Sequence, residues 1–262
     1  MSTKYDEAAF SPDRIRFEPL KLEDAIELIK QDENAFHTRY DRNLFCPECR
    51  IPPIGMVCRD GEYFFRGFPN CAHDPNCSKG FDPISSRILK EFASDPVNHD
   101  FLQRKLERFI DRLLQRDNLP VHPLLLRVDN NRCMGDDINP ANVRNRQNIR
   151  RIPTKSITAP FGNDDLGFYK LFYGNVDVRY TKVEKSEATF FKLMFYKCNS
   201  NTVLCSLSCS AQVATYLQNT YRFCPNQLFP NRYVAFYSVL KKNNQYFNAR
   251  LSHSKLFYIA AR

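Results

Sequence analysis

Cys46-Pro47-Glu48-Cys49, followed about two dozen residues later by Cys71-Ala72-His73-Asp74-Pro75-Asn76-Cys77, decides how the first half of the chain folds. A CxxC turn lets two thiolates point at one ion. The second stretch adds further soft ligands from a short Pro- and Asn-containing turn. Two pairs of Cys/His ligands separated by a loop suit a closed tetrahedral zinc site, and thiolate-rich sites favour zinc over magnesium or calcium. Cys46 and Cys49 form the first pair. The second is drawn from Cys71, His73 and Cys77. His73 with Cys77, four apart, is preferred, with Cys71 as the substitute. Cys58, in the apolar run Ile54-Gly55-Met56-Val57-Cys58, is a weaker candidate.

Between the ligand pairs lie two strand-like pieces, Ile54 to Val57 and Tyr63-Phe64-Phe65-Arg66, joined by the hairpin signal Asp60-Gly61. The module over about 40–80 therefore reads as knuckle, hairpin, second ligand turn. Its apolar area is too small to fold it alone, and metal binding supplies the missing free energy. Upstream, residues 1–16 read as a loose lead. Leu22, Ala25, Ile26 and Ile29 then mark one face of a helix over 21–30.

The order Cys46, Cys49, Tyr63-Phe64-Phe65-Arg66, Pro69-Asn70, His73, Cys77 resembles the N-terminal zinc region of competence protein CoiA-like bacterial proteins. Gly67 stands where that family often has a histidine. The resemblance spans about 35 residues. It implies a DNA-processing enzyme with a nuclease-like domain after the zinc region, and Asn98-His99 with Lys105 faintly resembles that domain's start. No Asp…Glu-x-Lys set follows, so the enzymatic part does not carry over. Asp136-Asp137 and Asp164-Asp165 are the carboxylate pairs a divalent metal could use, and both read as turn residues.

Two helices come next. Asp82-Pro83 and Asp95-Pro96 are each a cap and first-turn pair, for helices running to Ala93 and to about Asn118. The apolar stripe of the longer one is set to pack on the zinc module or on a second copy of the chain. Residues 127–160, crowded with Asn and basic in their second half, read as a polar linker.

The net charge of +9 is unevenly placed. Residues 1–150 hold 23 Lys and Arg against 24 Asp and Glu; residues 151–262 hold 15 against 5, and after Glu187 no carboxylate side chain remains. Such a segment argues for a polyanionic partner, most often nucleic acid. No run of about 18 apolar residues is present, so no membrane span is expected. The polar start, Met1 to Phe10, lacks the marks of a signal peptide. A cytoplasmic protein with reduced thiols is the expectation.

Beyond 160, strand signals dominate: Phe168–Tyr180, Thr189–Cys198 and Thr202–Ser208, a helix from Ser210, then Arg232–Leu240 and Tyr246–Leu251 around Lys241-Lys242-Asn243-Asn244, and a last strand over Lys255–Ile259. Three strands, a helix and two strands is the order of an OB-fold barrel. The expected class is α+β: a zinc-ribbon-like module with helices over 1–126, a basic linker over 127–160, and a small OB-like β-barrel over 161–262. OB domains hold single strands by stacking bases on aromatics and pairing phosphates with Lys and Arg. The expected binding residues are Arg150, Arg151, Tyr173, Arg179, Lys192, Tyr196, Tyr237, Lys241 and Lys242. The function expected is non-enzymatic binding of single-stranded DNA or RNA. A CoiA-like nuclease and a protein binding an acidic partner, or a homo-oligomer, are the alternatives.

Overall fold

The computed structural model describes residues 4–69, 71–74, 77–81, 83–118, 151–185, 188–244 and 246–261. It has both helices and sheets, as the α+β reading requires, and divides into two compact units. Of the described residues, one holds those within 4–84 and 151–152, the other those within 85–118 and 153–261.

The first unit is built on two small sheets. Its strands are β1 (Lys4–Tyr5), β2 (Glu7–Phe10), β3 (Glu18–Lys21), β4 (Leu44–Phe45), β5 (Ile54–Arg59) and β6 (Glu62–Gly67), with helices α1 (Leu22–Gln31) and α2 (Glu33–Tyr40) after β3. One sheet has the order β1-β6-β5, the other β3-β2-β4. The β5–β6 hairpin turns at Asp60 and Gly61, both left-handed (φ 54° and 79°), which suits the right-handed twist of the two strands. The α1 stripe is as expected, with Leu22, Ala25, Ile26 and Ile29 buried. The lead is not loose: Tyr5 pairs with Phe65, and Phe10 with Leu44, so residues 4–10 complete both sheets.

The second unit contains α3 (Ser86–Ser94), α4 (His99–Asn118), β7 (Thr154–Ser156), β8 (Tyr169–Lys185), β9 (Ala188–Lys197), β10 (Val203–Cys209), α5 (Ala211–Tyr221), β11 (Leu228–Val239), β12 (Lys241–Asn243), β13 (Tyr246–Leu251) and β14 (Phe257–Ala261). Its strands form one sheet in the order β12-β13-β10-β9-β8-β11-β14, with β7 beside β8. This order is an open path and not the closed ring expected. Residues β8 to β10 form an antiparallel meander, β10 runs parallel to β13, and β8 runs antiparallel to β11. Lys241–Asn243, expected as a turn, is itself a strand on β13.

Alternation along the meander sets the core. Phe172, Val176, Val178, Tyr180, Leu193, Phe195, Cys205 and Leu207 are buried, and the rings of Phe172 and Phe195 each stack on Phe236 at 5.5 Å. The two helices expected with the metal module belong instead to this unit. Ser85 caps α3 by accepting from the Ile88 N–H, three residues later than the Asp82 cap expected. On α4, Phe109 meets Tyr173 edge to face at 4.8 Å, His99 stacks against His253 at 4.0 Å, and Asp100 pairs with Lys255. The linker expected over 127–160 lies outside the described residues up to position 150. No described helix is long and apolar enough to cross a membrane.

Candidate functional site

The knuckle is closed by its own backbone. The Arg50 N–H donates to the Cys46 carbonyl at 2.9 Å, and the Cys46 N–H to the Pro52 carbonyl at 2.9 Å. On the second ligand turn, Cys77 N–H donates to the Asp74 carbonyl at 2.9 Å and Gly80 N–H to the Cys77 carbonyl at 3.0 Å. These turns bring Cys46, Cys49, His73 and Cys77 together, with their ligand atoms all within 4.8 Å of one another. Cys71 is half-buried and outside this group, and Cys58 is exposed on β5. Among the described residues no other group of three or more metal-type side chains occurs.

The spacings test whether an ion fits. A tetrahedral ion at about 2.3 Å from sulfur and about 2.0–2.1 Å from nitrogen sets S···S edges of about 3.8 Å and S···N edges of about 3.5 Å. The Cys46 and Cys77 sulfurs are 3.8 Å apart. His73 Nδ1 lies 3.5 Å from the Cys49 sulfur and 3.4 Å from that of Cys77. The cluster is therefore compatible with a metal ion held by three sulfurs and one nitrogen.

Supporting contacts point the same way. His73 turns Nδ1 to the sulfurs and Nε2 to Tyr5 Oη at 3.2 Å, so an ion on Nδ1 would leave the ring proton on Nε2 to be donated to that hydroxyl. Metal-bound histidines are oriented by such a partner on their other nitrogen. Without an ion the thiols share protons. A hydrogen bond to Cys49, with burial adding to it, pushes the Cys46 thiol up to about 11. Cys49 is held far below the ordinary thiol range by hydrogen bonds from Cys46 and Cys77, helped by the Asp74 and Ile51 amides. A cation replaces those shared protons and takes all three sulfurs as thiolates.

The expected binding residues of the second unit divide. On the face opposite the core, cross-strand rows run Arg179–Met194–Ser206–Asn248–Lys241 and Thr181–Lys192–Ser208–Arg250. The Arg179 guanidinium lies over the Tyr196 ring, 5.2 Å from its centroid. Arg179, Lys192, Tyr196 and Lys241 thus share one face. Lys242 is exposed on the same hairpin, its ammonium 5.8 Å from the Phe247 ring centre. Tyr237 is only 1% exposed, so its ring has no face to offer a base. Tyr173 is half-buried under Phe109 of α4. Arg151 lies in the first unit, bridged to Pro83, with its carbonyl accepting from the Ile84 N–H. Arg150 lies outside the described residues, as does the pair Asp136-Asp137.

Two carboxylates of the second unit, Asp165 and Asp177, are occupied. Asp165 is buried between two ammoniums, 3.4 Å from Lys155 Nζ and 2.8 Å from Lys170 Nζ. Asp177 accepts from the Asn231 N–H at 2.8 Å and the Asn199 N–H at 3.1 Å, holding two residues with left-handed backbone. No protein-family model matches the chain, and no curated protein or solved structure matches it either.

Proposed function

We propose that the chain is a zinc-stapled protein that binds single-stranded DNA or RNA on the outer face of its second unit. The observation that carries the reading is the Arg179–Tyr196 pair, with Lys192 and Lys241 in register beside it. A guanidinium on an aromatic face presents its N–H edge to phosphate and leaves the other side of the ring for a base. The Asp177 carboxylate near this face is already engaged by backbone amides.

The connectivity supports an OB-like, partly open Greek key. A three-strand meander leads through α5 to β11, and only Leu240 separates β11 from β12. One continuous stretch therefore pairs β8 with its first part and β13 with its second. Zinc is the ion assigned to Cys46, Cys49, His73 and Cys77, because three thiolates and an imidazole at tetrahedral spacing suit it over harder cations. The role of the metal is structural: all four positions are taken by protein.

The nuclease suggested by the CoiA-like resemblance would need free carboxylates, and Asp165 is spent on Lys155 and Lys170. Fluorescence anisotropy with labelled oligonucleotides at several salt concentrations tests the proposal. Tyr196→Ala should weaken binding by about 1–3 kcal/mol with folding intact. An unchanged affinity, or cleavage of the oligonucleotide with magnesium or manganese, overturns it.

A further inference from the structure

The geometry points to a second phosphate-binding surface, on the metal-binding unit itself, formed by Arg14 and Arg50 around Phe45 and Phe17. Arg14 lies over the Phe45 ring, 5.3 Å from its centroid, and Arg50 over the Phe17 ring at 5.0 Å. The two rings meet edge to face at 5.8 Å. The result is a run of guanidinium, ring, ring, guanidinium beside the Cys46–Cys49 knuckle. Register accounts for it: Phe45 pairs with Ala9, Ala9 pairs with Pro19, and Phe17 lies two residues before Pro19 on the same side of the sheet.

Three features distinguish this run from a solvated basic surface. Neither arginine has a carboxylate partner among the described residues. Asp13, the acid next to Arg14 in sequence, is engaged by the Ile15 and Arg16 N–H groups and the Ser11 hydroxyl. Each guanidinium carbon sits over a ring, and a guanidinium placed there keeps N–H donors with which to pair a phosphate oxygen. Both arginines also sit at left-handed backbone positions, φ 56° and 60°, which glycine adopts freely and arginine does not. A side chain kept at such a position is one the backbone alone would not select. Ile15 and Ile51, 66% and 56% exposed, flank the run.

The occupant is the phosphate backbone of a single nucleic-acid strand, with half-buried Phe17 offering ring surface between the two cations. This rests on the nucleic-acid reading above but needs none of its residues. The balance of charge over residues 1–150 hides the site, because it is local.

Arg14→Gly with Arg50→Gly tests it in the full chain, since glycine fits both backbone positions and leaves the knuckle turn relaxed. Metal content and thermal midpoint should hold. The log–log salt slope for a labelled 20-nucleotide strand should fall by about 1.4, from two lost contacts at about 0.7 each, and affinity at low salt by about tenfold. Arg14→Gly alone, distant in sequence from the ligands, should lower the slope by about 0.7. Unchanged slopes with Arg179→Ala/Lys192→Ala still defective overturn this surface and leave the second unit's role standing. The reverse pattern supports this surface and removes that role. Wild-type chain that binds polyglutamate but no oligonucleotide overturns both.

Discussion

Tyr5 is the residue that pattern reading could not find. It stands in a two-residue strand with no alternation to read, yet its hydroxyl lies 3.2 Å from His73 Nε2 across 68 positions of sequence. Tyr5→Phe keeps the ring, which packs against β6, and deletes only that acceptor. Metal affinity, measured by competition with a chromophoric chelator, should fall by about 10-fold or more. Cys71→Ser should leave affinity unchanged, since that sulfur lies outside the cluster. Asp165 carries a second prediction. Burial pushes its carboxyl up, but Lys155 and Lys170 outweigh burial and hold it below the usual 3.8. A folded value below the unfolded one means the stabilisation is complete above the unfolded value. It is lost as pH falls through the depressed folded value. Asp165→Asn should therefore destabilise the second unit by about 3 kcal/mol at neutral pH, by removing the negative charge that Lys155 and Lys170 share. The same substitution should flatten the loss of stability between pH 4 and lower values. Urea titrations at pH 7 and pH 3 read both effects.

Among the elements, strand and helix order in the second unit was legible because apolar and polar residues alternate over Val176–Tyr180 of β8 and Cys205–Cys209 of β10, and β9 is rich in aromatic residues. Where alternation failed, the reason is visible. Tyr233 to Ser238 of β11 are all buried, since one face meets the core and the other is covered. A strand buried on both faces reads as a continuous apolar run, so Tyr237 could not be told from a surface ring. The stripe on α4 showed that one face is covered without showing by what. It packs on β8 and the C-terminal turn, as the contacts of Phe109, His99 and Asp100 establish. Gly174 marks a change of neighbour: β7 pairs with β8 through Tyr173, and β9 takes over from Val176. A Cβ at Gly174 would lie 2.7 Å from Ile157 Cγ1, under any normal contact. Gly174→Ala should cost about 1–3 kcal/mol through displacement of Ile157. The paired change Gly174→Ala/Ile157→Ala, which removes the clashing Cγ1, should cost less in thermal unfolding than the two single changes added together, and a plain sum would place the strain elsewhere.

At the scale of the whole chain, the two units draw on different sources of stability. The second has a stacked aromatic core of its own, in Phe172, Phe195 and Phe236. The first rests on two three-stranded sheets, with the four Cys/His side chains bringing the knuckle and the second turn together on either side of the β5–β6 hairpin in sequence. The grouping of Cys46, Cys49, His73 and Cys77 was legible there because CxxC and HxxxC spacings are short-range, while the strands that brace them were not. Ion binding is then folding free energy for the first unit and not for the second. Each bound sulfur must give up its proton, so protons compete with the ion, and release should set in as pH falls and not as it rises. Hydrogen exchange on the full chain, with and without a strong chelator under reducing conditions, separates the units. Amides of β1, β5 and β6 should lose protection on chelation, while those of β8, β9 and β10 keep theirs. Lowering the pH from 7 to 5 with a small amount of chelator present should reproduce the pattern, because proton competition and ion removal act on the same four ligands. Loss of protection in β8, β9 and β10 at the same chelator concentration would show that the metal holds the second unit as well, and would end the assignment of separate stabilities.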